Sequence, residues 1–258
     1  MRDARLDHRV RQITLRHLLT MTSGFEWDPS VIDDFVLGPC ERFADAGENR
    51  LHFVLSRPFE NNPGARFRYD SHAVQLLSIA LESATGRTLG DYARENLFEP
   101  LGIAPSEWIA DEAGHTFAGR GLMLRPRDMI SRGLLIVHRG TWRGARLIDE
   151  WFVDEATCAQ SEGGPPMDGA QYGYLCWIAP GYVFVAGHGG QFIFGRIRAR
   201  SGRSRDGRWR RHSDLHAGTV RTPRICRAAR NNCRAARLNF TCRSLPLPEP
   251  KRLKGNAD

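Results

Sequence analysis

Asn62-Pro63-Gly64-Ala65-Arg66-Phe67-Arg68-Tyr69-Asp70-Ser71-His72, continuing through residues 73–86, is the stretch that decides the fold. Pro63-Gly64 signals a turn, and Phe67 to Tyr69 reads as a short extended approach. Asp70 or Ser71 then caps a helix that carries Val74, Leu77, Leu81 and Ala84 on one face. Tyr69 therefore stands where the chain enters a helix, with a second hydroxyl two residues on at Ser71. That puts a proton-transfer group on a rigid corner. Taken alone, the stretch reads more simply as a core tyrosine beside a helix cap.

Upstream, residues 13–24 predict a short helix capped by Thr14. Leu15, Leu18, Leu19 and Met21 form its buried face, and Gly24 is its stop. Residues 25–50 are mixed, with a turn at Trp27-Asp28-Pro29, and residues 52–55 look like the end of another helix. Downstream, residues 88–98 predict an amphipathic helix that stops at Glu99-Pro100. Gly119-Arg120-Gly121-Leu122 leads into a helix with Pro126 in its first turn and Asp128 at its positive end. Met129, Ile130, Leu134 and Leu135 are its apolar residues, and it finishes near Arg139-Gly140. Residues 149–159 give one more helix.

From Tyr172 the texture changes. Residues 172–178, 182–186 and 191–194 are short apolar runs punctuated by Gly and Pro, and read as antiparallel strands. Gly187-His188-Gly189-Gly190 joins the last two. Helices first and strands late predict an α+β fold, with a helical part beside an antiparallel sheet.

The 258 residues carry a net charge of +8, which hides two unlike parts. Residues 1–194 hold 19 Arg, no Lys and 25 acidic residues, a balance of −6. Residues 195–258 hold 16 Arg and 2 Lys against 4 acids, a balance of +14. The body thus offers no amine general base. No C-x-x-C pair is present, so neither a zinc site nor a disulfide framework is implied, and no motif asks for a cofactor. Residues 1–7 are charged and lack the apolar core of a signal peptide. No apolar run approaches membrane-spanning length, and the sequence names no compartment.

Taken in order, the motifs resemble one family. Thr14-Leu15-Arg16-His17-Leu18-Leu19-Thr20-Met21-Thr22-Ser23-Gly24 closely resembles the "HLLTMTSG" segment of the serine beta-lactamase-related hydrolases. These include class C beta-lactamases, penicillin-binding-protein-like peptidases, certain esterases and 6-aminohexanoate-dimer hydrolases. Pro63-Gly64 through Tyr69-Asp70-Ser71, with Leu97-Phe98-Glu99-Pro100-Leu101-Gly102-Ile103, looks like the family's second-motif region. Gly187-His188-Gly189-Gly190-Gln191 looks like its third motif. The resemblance covers residues 13–194 and implies a partial beta-lactamase/transpeptidase-like fold. It also implies acyl transfer, in which a serine in S-x-x-K attacks a carbonyl and backbone N–H groups hold the oxyanion.

On that resemblance Tyr69 is the general base and acid. A phenol near its reference value of about 10 needs a cation nearby to serve at neutral pH. Ser71 stands in the place of the family's Asn, His188 in that of the lysine of K-T-G. Gly189, Gly190 and Gly121 would let substrate approach, and the Gln191 N–H would face the oxyanion. A plain tight turn is the alternative for Gly121. The implied substrate is a small ester, amide or lactam, with Ser71 favouring the esterase or amide-hydrolase branch. No metal is implied.

The departures are as informative. The 258 residues contain no S-x-x-K, which the family carries tens of residues before the "HLLTMTSG" segment. At Gly195 periodicity gives way to an Arg-rich run with too few apolar residues to offset ordering entropy, so residues 195–258 are expected to be disordered. The expectation is an inactive remnant: residues 1–194 a partial hydrolase domain truncated at the front, 195–258 a frame-shifted tail. Two alternatives stand beside it. One is a member of the family that binds ligands without turnover. The other is a binder of anionic polymers such as nucleic acid through the tail alone, although no DNA- or RNA-binding motif is present.

Overall fold

The computed structural model describes residues 6–26, 50–110, 114–187 and 190–196. The turn expected at Trp27, together with His188, Gly189 and the tail from residue 197, lies outside them.

Helix α1 (Leu15–Leu19) begins in a capping box: Thr14 Oγ1 accepts from His17 N, and His17 Nδ1 accepts from Thr14 N. It ends earlier than expected. Met21 takes the left-handed conformation (φ 56°), while Thr22 N donates to His17 O and Met21 N to Leu18 O. This is a Schellman stop built on methionine, held because the Met21 side chain is buried. Gly24 serves a different contact, described below, and Leu15 is exposed, contrary to expectation.

Helix α2 (Arg50–Leu55) follows. Helix α3 (Gln75–Thr85) is entered through a tight lead-in of i→i+3 bonds: Gln75 N donates to His72 O, Leu76 N to Ala73 O and Leu77 N to Val74 O. Asp70 caps that lead-in, its Oδ1 accepting from His72 N and Ala73 N. The buried face of α3 is Gln75, Leu76 and Ser78, while Ala84 is exposed. Val74 and Leu77 of the expected face do pack into the core, and Gln75 and Ser78 join them because residues 114–118 run along α3 and need polar partners there.

Residues 89–101 form one helical run instead of stopping at Pro100. Helix α4 (Leu89–Ala93) passes through a π-turn (Arg94–Phe98) into α5 (Glu99–Leu101). An α-helical proline ring collides with the carbonyl four residues back. The wider turn, in which Glu99 N donates to Arg94 O, accommodates it. Helix α6 (Pro126–Val137) begins at proline as expected, and Asp128 in its first turn takes the Arg125 guanidinium at 2.9 Å. Leu135 is buried, but Ile130 and Leu134 are exposed. The helix meets the sheet through Gly133, where a Cβ would stand 3.1 Å from Ile193 Cγ2. Helix α7 (Glu150–Ala156) ends three residues before the expected Ala159.

The hairpin β1 (Thr141–Trp142) and β2 (Ala145–Arg146) stands apart from the main sheet. That sheet is antiparallel, in the order β3 (Gln171–Tyr172), β4 (Trp177–Ala179), β5 (Tyr182–Ala186), β6 (Phe192–Arg196). The run expected over 172–178 is broken by a turn with Leu175 at φ 52°. Strand β6 continues past Phe194, pairing Gly195 with Val183 and Arg196 with Tyr182. The fold is thus α+β. Among the described residues three apolar clusters form the core, and the one under the sheet joins Met21, Phe67, Val74, Tyr172, Trp177 and Phe184.

Candidate active site

The run that carries Tyr69 is pinned to the stop of α1. Arg68 N donates to Met21 O at 2.8 Å, and Asp70 N to Met21 Sδ at 3.4 Å. The Tyr69 ring then packs against the sheet, stacked on Trp177 (5.6 Å, 21°) and edge-on to Tyr172 (6.3 Å, 82°). The β3–β4 pairing sets Tyr172 opposite Trp177, so one register places both partners. Burial pushes the Tyr69 phenol above its ordinary value, and its hydrogen bond with Ser71 acts in the opposite direction. No cation acts on it among the described residues.

Ser71 faces the 118–120 backbone. A Cβ at Gly119 would lie 2.7 Å from Ser71 O, so glycine permits the approach. Gln75 holds that backbone in place: its Nε2 donates to Thr116 O at 3.0 Å and its Oε1 accepts from Ala118 N at 2.9 Å. Gly121 has φ 81°, and a Cβ there would stand 2.7 Å from Ile109 Cβ. Its glycine identity is thus required by packing, whatever else it does.

The loop between β5 and β6 is closed by Gly187 N donating to Gln191 O (2.7 Å) and Gly190 N to Gly187 O (3.1 Å). Gly190 sits at φ 80° with nothing within 4 Å of its Cβ direction, and Gln191 is exposed. His188 and Gly189 lie outside the described residues. Ala186 and Phe192, which flank the loop, pack against the same apolar cluster as Tyr69 and Ala118. Three segments far apart in sequence therefore converge on one cluster.

Sequence reasoning missed Arg57, Gln75, Tyr172 and Trp177 as builders of this corner. Their signal was weak, since each reads as an ordinary loop, helix or strand residue. A polar cleft of about 270 Å³ opens elsewhere, bordered by Arg16, His17, Thr20, Thr22, Arg66 and Ser161, and none of the expected site residues lines it. Among the described residues no group of three or more His, Cys, Asp or Glu could hold a metal, and no helix is long and apolar enough to cross a membrane.

The family model for beta-lactamase matches residues 3–202. The chain belongs to the beta-lactamase family. That family comprises serine hydrolases and acyltransferases that act on esters, amides or lactams. The chain is 32% identical over 165 residues to monacolin J acid methylbutanoyltransferase of Aspergillus terreus, covering 63% of this chain and 36% of that protein. It thus spans about a third of that relative's length. A solved structure from Bacillus anthracis, described as a 6-aminohexanoate-dimer hydrolase, matches with TM-score 0.60 at 20% identity, over 70% of this chain and 52% of that one. A penicillin-binding protein from Bacillus halodurans matches with TM-score 0.52 at 22% identity, over 70% and 62% of the two chains. These structural likenesses concern the fold: a mixed helical and antiparallel-sheet architecture of the penicillin-binding-protein type.

Proposed function

We propose that these residues supply the tyrosine corner and the sheet-edge loop of a serine acyl-transfer site for a small ester, amide or lactam. Tyr69 is its general base and acid, Ser71 orients the phenol or the substrate, and Gly190 and Gln191 border the acyl group. His188 and Gly189 are assigned to the same edge from sequence. The observation that supports this most is the Tyr69 ring, fixed against Trp177 with its hydroxyl on Ser71, in the cluster that also receives the flanks of the 187–191 loop.

The phenol is pushed up by burial with no cation acting on it among the described residues. A base needs the opposite shift. The S-x-x-K lysine, absent from these 258 residues, is the group that would supply it, so this stretch by itself is inactive. Hydrolysis of a p-nitrophenyl ester tests the reading. The 258-residue chain is expected to show no turnover above buffer. A longer reading of the gene that includes S-x-x-K is expected to turn over, and to lose at least about 100-fold in kcat on Tyr69→Phe. Turnover that survives Tyr69→Phe would sink the role of Tyr69. A second reading, ligand binding without turnover, is favoured by the same missing cation. It predicts a raised Tm with a non-hydrolysable acyl phosphonate and no burst of p-nitrophenol.

A further inference from the structure

Asp70 stands between Tyr69 and Ser71, and its side chain is committed elsewhere. The Arg57 guanidinium donates to Asp70 Oδ2 at 2.7 Å, with Arg57 15% and Asp70 6% exposed. The other Arg57 nitrogen donates to Glu26 O at 2.7 Å, and the guanidinium lies 5.3 Å over the Phe25 ring. Asp70 Oδ1 accepts from His72 N and Ala73 N at 3.0 and 3.1 Å. One carboxylate thus joins residues 25–26, Arg57 and the lead-in to α3. With both carboxylate oxygens held, the backbone that links Tyr69 to Ser71 is held with them.

We propose that the Arg57–Asp70 ion pair is a positioning device that sets the Tyr69 and Ser71 hydroxyls in hydrogen-bond register. The proposal rests on the reading of Tyr69 as the base only for its use, not for its geometry. Capping alone needs just an acceptor at Asp70 Oδ1, which an asparagine also provides. The guanidinium, largely covered, is the part that capping leaves unexplained. Charge-assisted bonds are the stronger and more directional kind, which suits a group that fixes a corner. Besides Arg57, the charged and titratable groups facing Asp70 are His72, whose Nδ1 is 3.9 Å away, and, through His72, Arg120.

The test follows the Tyr69 phenol by ¹³Cζ-tyrosine NMR across alkaline pH, its signal assigned by Tyr69→Phe because Tyr172 interacts with it electrostatically. Ser71→Ala removes the hydrogen bond that holds the phenol down, so its titration moves up. Asp70→Asn keeps the capping acceptor and loses the charge pair. If Asp70 positions the corner, its titration also moves up, and adding Asp70→Asn to Ser71→Ala brings no further shift. If Asp70 acts only through its charge, the unpaired Arg57 stabilises the phenolate and the titration moves down, which overturns the proposal. An unchanged titration in Asp70→Asn overturns it as well. Arg57→Lys, which keeps the charge but not the two-pronged reach to Glu26 O and Asp70, provides the same readout should Asp70→Asn fold poorly, with an upward shift expected. The measurement needs no turnover, so a longer enzyme whose kcat survives Tyr69→Phe would remove the catalytic reading and leave the clamp standing.

Discussion

Two residues at the stop of α1 show how a backbone conformation is chosen by its surroundings. Met21 adopts φ 56°, which costs an L-residue about 1–2 kcal/mol. Its buried side chain, and the bond from Arg68 N to its carbonyl, outweigh that strain. Gly24, at φ 87°, answers a different demand: a Cβ there would stand 2.5 Å from Asn61 O, because Glu60 and Asn61 both donate to Gly24 O. Gly86 has a similar φ of 69° but open space around it. Gly86→Ala is therefore expected to cost about 1 kcal/mol, the conformational part alone. Gly24→Ala adds a backbone collision and should cost about 2 kcal/mol more than that. Urea unfolding of both variants measures the difference, and equal losses would refute the collision. The special status of Gly24 was legible in the sequence, but its reason was not. A glycine after a helical pattern looks like a stop, and only the neighbouring 58–62 segment reveals the close approach.

At the scale of elements, the sequence registers periodicity well and neighbours poorly. Thr14, Pro126 and the late strands stand where local chemistry puts them, because caps, prolines and alternation act within a few residues. Gln75 is the opposite case. It stands outside the apolar face expected for α3, yet it is buried, with both ends of its amide used by Thr116 O and Ala118 N. A buried backbone group needs a partner, and residues 114–118, bridged to Ala110 through Thr116, have α3 beside the groups that this bridge leaves over. Gln75→Leu keeps roughly the volume and removes the clamp. Thr116 O keeps Ser78 as a donor at 3.3 Å, so the main orphan is Ala118 N. The expected loss is about 1–3 kcal/mol, the cost of one unsatisfied buried donor, with faster amide exchange at Ala118. Unchanged exchange at Ala118 would mean that the segment is held by other contacts.

For the whole molecule, the proposed site depends on Met21, Tyr69, Ala118, Ala186 and Phe192 meeting in one cluster, which no local pattern encodes. The order of motifs carried the family, and the family carried the convergence. Arg57 stayed invisible because its partner is 13 residues away in an unrelated element. The same burial that fixes the corner also ties global stability to pH through His72. The residue is 6% exposed, and burial pushes its imidazole below the ordinary value of 6.5. The Asp70 carboxylate opposes that shift, while Arg57 and Arg120 reinforce it. Above about pH 6.5 the imidazole is neutral in both folded and unfolded chains, and the contribution of His72 to stability is complete. As pH falls below that value, the unfolded chain takes up the proton first. Stability should therefore decline until the depressed folded value is passed. Half-buried His17 is shifted the same way by its partial burial, so it shares the window. Asp7, held down to about 2 by Arg9, titrates well below it. Urea unfolding at intervals between pH 7.5 and 5 should give a falling stability for the parent. The slope should be flatter in His72→Gln and less affected in His17→Gln. Parallel slopes for the parent and His72→Gln would show that His72 carries no such linkage.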